Sequence, residues 1–156
     1  MTGKPDDRLT ELKLTLPSAP KAMAIYRPCL RVGNLLYVSG HGPLLPDGTL
    51  MTGVLGKDLT LDEGKAAARQ VALAVLSTVK NHLGTLDTVK RLVKSLGWVA
   101  SASDFLDQPK VMNGWSELMR EVFGEDAGVG VRSAIGTNVL PGNIAVEVEC
   151  LFELED

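Results

Sequence analysis

Apolar residues recur every three or four positions in two stretches of the chain and every second position in several others. Over 60–84, Ala68, Val71, Val75, Val79 and Leu83 keep helical spacing. Thr60 and Glu63 form a capping box ahead of them, each side chain satisfying a free N–H, and Gly84 supplies the stop. A second helix is predicted from Pro109, a favoured first position, to Gly124, with Val111, Trp115, Leu118 and Val122 as its buried stripe. "AMAIYRPCLRVGNLLYVSGHG" predicts two strands joined at Gly33–Asn34, and residues 42–59 a Gly/Pro-rich loop with a short strand near Leu50. Residues 88–100 alternate at β period. Residues 131–154 read as a β-hairpin turning at Pro141–Gly142.

The predicted order is β-β-α-β-α-β-β, an α+β fold with two helices on one face of a mixed sheet. Residues 1–20, with a short helix over Asp6 to Lys13 and a Pro-rich end "LPSAPK", read as an N-terminal extension to a single domain over 21–156. Strands 35–40 and 88–100 carry apolar residues on both faces, yet two helices cover only one. Another subunit is expected to cover the second face.

Composition removes several classes of function. Lys and Arg total 16 against 19 Asp and Glu, a net charge of -3 without a basic run, and aromatic residues are 4%. Single-stranded nucleic acid needs basic grooves and stacking platforms, so this balance disfavours it as a partner. Phosphate-loop and GxSxG motifs are absent. His41 and His82 have no ligand-spaced Cys or His neighbour, so no metal or cofactor is expected. Cys29 and Cys150 read as buried free thiols in a reducing cytosol. With no apolar leader and no uninterrupted apolar run, a cytoplasmic location without a membrane span is expected.

The closing segment carries the candidate chemistry. Arg132 opens one predicted strand and Glu147 interrupts the next. A two-residue turn would place Arg132 opposite Leu151 on the face of Glu147, about four pair-steps or 13 Å away, too far for a salt bridge. An interfacial ion pair would explain such an arginine without any chemistry. Ala134 and Gly136, small and on its face, leave room for a ligand, and a guanidinium suits a bidentate carboxylate. Ser39 and Gly40 add a hydroxyl and free N–H groups at a strand end, although a Ser-Gly pair also reads as a turn. His41, a lone loop histidine, is expected to be solvent-exposed, and Trp98 and Trp115 to be core.

"GNLLYVSGHGP" followed by "RSAIGTNVLPGNIAVEVE" resembles the Rid family of reactive-intermediate deaminases, also called YjgF-like or endoribonuclease L-PSP, over about Ala24 to Leu154. The resemblance implies a chorismate-mutase-like fold, a homotrimer and ligand clefts between subunits. It implies that Arg132 binds a substrate carboxylate and that Glu147 holds the attacking water. Tyr26, Ser39, Gly40, Asn113 and Ala134 match further pocket positions, Ser39 counted with Glu147 as catalytic. Ala134 stands where many members have cysteine, and His41 where glutamine is common. The extension and a longer loop before the first helix mark a longer branch than the short deaminases.

The activity implied is hydrolysis of 2-imino acids such as 2-iminobutanoate or 2-iminopropanoate to 2-keto acids and ammonia. The partners would be a small carboxylate-bearing substrate and two further copies of the chain. A trimer that binds keto or amino acids without turnover is the alternative; it would need Arg132 but not Glu147. RNA cleavage or translation inhibition, implied by the family's older name, is disfavoured by the charge.

Overall fold

The computed structural model describes residues 3–156; the first two residues of the expected extension lie outside them. Five strands form one sheet: β1 (Cys29–Val32), β2 (Leu35–His41), β3 (Val89–Ala100), β4 (Val131–Thr137) and β5 (Val146–Leu154). Their spatial order is β1-β2-β5-β3-β4. The helices are α1 (Pro5–Glu11), α2 (Leu61–Leu83), α3 (Gln108–Val111), α4 (Asn113–Phe123) and α5 (Glu125–Gly128).

The local signals are realised where periodicity and caps agree. Thr60 accepts from the Glu63 N–H while the Glu63 carboxylate accepts from the Thr60 N–H, and Gly84 closes α2 at φ 83°. Ala68, Val71, Val75 and Val79 are fully buried. Each buried valine of this stripe contributes about 1.5–3 kcal/mol. The second predicted helix is divided at Met112 into α3 and α4, with Val111, Trp115, Leu118 and Val122 all inside the core. Gly33, at φ 61° in the first central position of its turn, joins β1 to β2 with the twist that antiparallel strands favour. Of residues 3–20, α1 packs on α4, Leu9 enters the main core, and Asp6 bonds Thr85 and pairs with Lys80.

The closing hairpin is not formed. β4 pairs in parallel with β3, and β5 lies antiparallel along the other edge of β3. Parallel neighbours need a long crossover, which residues 101–130 with α3 to α5 provide. The turn signal at Pro141 is real but local. Gly142 and Asn143 both have positive φ, and Gly53 N–H and Ala145 N–H tie to Asn143 O and Met51 O. Residues 138–145 thus anchor to the 51–53 loop and carry the chain past β3.

Helices α2 and α4 cover one face of the sheet. The other is bare and displays Leu30, Val32, Tyr37, Val131 and Ile135, each 39–67% exposed. Trp115 is fully buried, its indole N–H donating to Ser95 Oγ at 3.0 Å. Trp98, expected in the core, is half-buried on the bare face beside Ala100, Leu140 and Ile144.

Candidate functional site

Arg132 and Glu147 stand on opposite faces of the sheet. Arg132 pairs with Ser95, which also pairs with buried Cys150, so the arginine points to the helix side. Glu147 pairs with Trp98 on the bare side. The shared face expected from a hairpin register is therefore corrected, because β3 lies between the two strands. Two strand spacings and three residues of offset separate their backbones by about 14 Å.

On the helix side, Arg132 is held by three neutral oxygens. Nη1 donates to Asn113 Oδ1 at 3.2 Å and Ser116 Oγ at 3.0 Å, and Nη2 to Pro109 O at 3.2 Å. Asn113 and Ser116 are one turn apart on α4 and so face the same strand. None of the ion pairs formed among the described residues includes Arg132. Its charge is positioned without being neutralised. Ala134 lies two residues on, partly buried against the core. The space expected beside Gly136 is filled by Gln108, whose amide donates to Ser101 Oγ and Phe105 O. Asn113 was legible from the sequence; Ser116 was missed, although its i+3 spacing from Asn113 was a usable signal.

On the bare side, β2 carries one extra residue against β5. Val38 pairs with Cys150 and His41 with Val148, so Ser39 and Gly40 form a bulge opposite Glu149. The bulge brings Gly40 against Glu147 so closely that a Cβ there would overlap the carboxylate. Burial pushes the Glu147 carboxyl above its ordinary value of 4.5, and Glu149 adds to the push. Ser39 is fully engaged: its N–H donates to Pro28 O at 2.9 Å and its hydroxyl to Arg27 O at 2.6 Å. Ser39 and Tyr26 line a cleft of about 590 Å³ along this face, together with Tyr37, Lys94 and Glu149. Within one chain the seven candidate residues thus form two groups, Tyr26, Ser39, Gly40 and Glu147 on one side and Asn113, Arg132 and Ala134 on the other.

The fold has counterparts in known proteins. A family model described as "YjgF/chorismate_mutase-like, putative endoribonuclease" matches residues 6–154. The chain belongs to this family. It is 43% identical over 155 residues to protein TCP17 of Trypanosoma cruzi, covering 99% of this chain and 97% of that one. A solved structure from Shewanella oneidensis, titled a putative endoribonuclease, is 33% identical with a TM-score of 0.93, covering 97% and 100% of the two chains. RidA from a Psychrobacter species is 25% identical with a TM-score of 0.62, covering 88% and 94%. The YjgF/chorismate-mutase-like architecture is thus that of the sheet and helices described above. No helix among the described residues is long and apolar enough to cross a membrane.

His41 departs from its expected exposure. The extra residue of the bulge reverses the β2 alternation, so this YjgF-family chain turns the imidazole onto the helix side, where it is 5% exposed. Nδ1 lies 2.6 Å from Ser39 O and Nε2 2.8 Å from Thr78 Oγ1 on α2. Burial holds its pKa below the ordinary 6.5, partly offset by the bond to Ser39. As the pH falls, the unfolded chain therefore takes up the proton first. The His41 contribution to stability is full above pH 6.5 and is lost as the pH falls from there through the folded value. Melting temperature is expected to be flat between about pH 7 and 8 and lower at about pH 5.5, with a smaller fall in His41→Asn.

Proposed function

We propose that this YjgF-family chain hydrolyses small 2-imino acids to 2-keto acids and ammonia, in clefts assembled between the subunits of a homotrimer. The observation that carries the reading is Arg132, a guanidinium oriented by three neutral acceptors and lacking a carboxylate partner among the described residues. Such a fork is matched to the carboxylate of an organic acid. The bare sheet face, with Leu30, Val32, Tyr37, Val131 and Ile135 exposed, supports assembly, because a soluble monomer rarely leaves so broad an apolar surface in water. Assembly is also what the site requires, since the Arg132 and Glu147 groups face opposite ways in one chain.

The chemistry asks little of the protein. A protonated 2-imino acid has an electrophilic C2. Arg132 holds its carboxylate, and Glu147 accepts a proton from water as the oxygen adds to C2. The resulting carbinolamine takes that proton on nitrogen. Its hydroxyl then returns a proton to Glu147 as the C–N bond breaks, and the keto acid leaves with ammonia, which carries that second proton away as ammonium. A carboxyl with a raised pKa suits both directions of this transfer. Holding the substrate and placing the water supply most of the acceleration. RNA cleavage gains no support from a net charge of -3.

In the direct test, a threonine dehydratase generates 2-iminobutanoate and release of 2-oxobutanoate is timed with and without the protein. Acceleration is expected; an unchanged rate would overturn the reading. Arg132→Lys keeps the charge but loses the planar fork, so 2-oxobutanoate should bind about ten- to a hundredfold more weakly by calorimetry, with an unchanged melt. A destabilised variant that binds normally would make Arg132 structural. Sedimentation equilibrium is expected to give three chains per particle, and a stable monomer at micromolar concentration would count against the intersubunit cleft.

A further inference from the structure

His41 has no part in the chemistry above, yet its ring joins the segment that abuts Glu147 to α2. The bulge at Ser39–Gly40 is the one place where β2 leaves its register with β5. Without the extra residue, alternation would send position 41 to the bare face; with it, the imidazole turns inward. The Ser39 carbonyl accepts only, so Nδ1 carries the hydrogen, and Nε2 accepts from the Thr78 hydroxyl. A neutral imidazole thereby ties the bulge carbonyl to the C-terminal part of α2. The other polar groups of Ser39 are bound to Arg27 O and Pro28 O. The bulge is held from both sides, and its next residue, Gly40, lies against the Glu147 carboxylate.

We propose that His41 is a positioning residue, which acts through the Ser39–Gly40 bulge to seat the Glu147 carboxylate and is itself fixed by Thr78 of α2. This rests on the proposed role of Glu147 for its consequence in catalysis, but the geometric claim is independent of turnover. Neither His41 nor Thr78 touches the bare face: both are buried on the helix side, 5% and 4% exposed. Thr78 is bonded to the imidazole, and through it to the bulge beside Glu147, while α2 packs on β5 from the opposite face of the sheet.

Thr78→Val removes the hydroxyl at nearly constant volume. His41→Asn keeps a donor near the Ser39 carbonyl and gives up the reach to α2. With 2-iminobutanoate, each variant should lose about tenfold in kcat with KM within about twofold, because Arg132 is untouched and displacement of a catalytic group by a fraction of an ångström is costly. The double variant should be no worse than either single one, since both break the same link. In parallel, carboxyl NMR should find Glu147 titrating closer to an ordinary glutamate in both variants, as the relaxed bulge admits water. A merely structural histidine would lower the melting temperature while kcat, KM and the Glu147 titration stayed at wild-type values, and that result overturns the inference. If the wild type has no hydrolytic activity, the deaminase reading falls. The Glu147 titration in Thr78→Val then decides the inference alone: moved, it stands; unmoved, it fails.

Discussion

Glu147→Gln is expected to lower kcat for 2-iminobutanoate by about two to four orders of magnitude, the usual worth of a positioned general base. The amide keeps the shape that lies against Gly40 but cannot take a proton from water. KM should change little, because the proposed carboxylate anchor is Arg132, on the other side of the proposed intersubunit cleft. The pH profile carries a second signature. Burial and Glu149 hold the wild-type carboxyl above 4.5, so the acid limb of the rate should lie above the range of a free glutamate and vanish in the variant. The stability effect runs the other way. A folded-state pKa raised above the unfolded one means that native stability is lost as the pH rises through the folded value. At neutral pH the glutamine variant should therefore melt slightly higher than wild type. Full activity in Glu147→Gln would overturn the role of Glu147 as the proton acceptor.

Gly114→Ala is expected to produce the largest loss of stability among single-methyl additions. A Cβ on Gly114 would overlap the Lys65 carbonyl of α2, a backbone atom that cannot swing aside. Overpacking typically costs about 1–3 kcal/mol, and a backbone obstacle belongs at the upper end. The better helix propensity of alanine returns about 1 kcal/mol. The net loss of about 2 kcal/mol should lower the melting temperature by about 4–8 °C for a chain of this size, at fixed protein concentration. Because Asn113 and Ser116 ride on the same turns of α4, displacement of that helix should also weaken 2-oxobutanoate binding at Arg132. Gly97 makes an instructive contrast: its Cβ would meet the Met112 side chain, which can adjust. A Gly114→Ala protein that melts at or above the wild-type temperature would show slack between α2 and α4.

The sequence by itself determined the helices, the β1–β2 turn and the mixed α+β class, because each is written in interactions between near neighbours. The Thr60–Glu63 box, the three-and-four spacing from Ala68 to Leu83, and Gly33 at its turn need nothing from distant residues. The family resemblance also pointed to Asn113 and Gly40, and Asn113 does lie beside Arg132 and Gly40 beside Glu147. Only the tertiary structure decided which strand lies beside which. Alternation is blind to pairing: β4 and β5 satisfy a hairpin and a β3-centred sheet equally well, and the crossover through α3 and α4 makes the choice. Parity depends on single extra residues in the same way. The bulge at Ser39–Gly40 turns His41 inward, and the insertion of β3 puts Arg132 and Glu147 on opposite faces. Those placements follow from hydrogen bonds to residues far along the chain, Thr78 for His41 and Ser95 at the centre of the sheet, which no local pattern records.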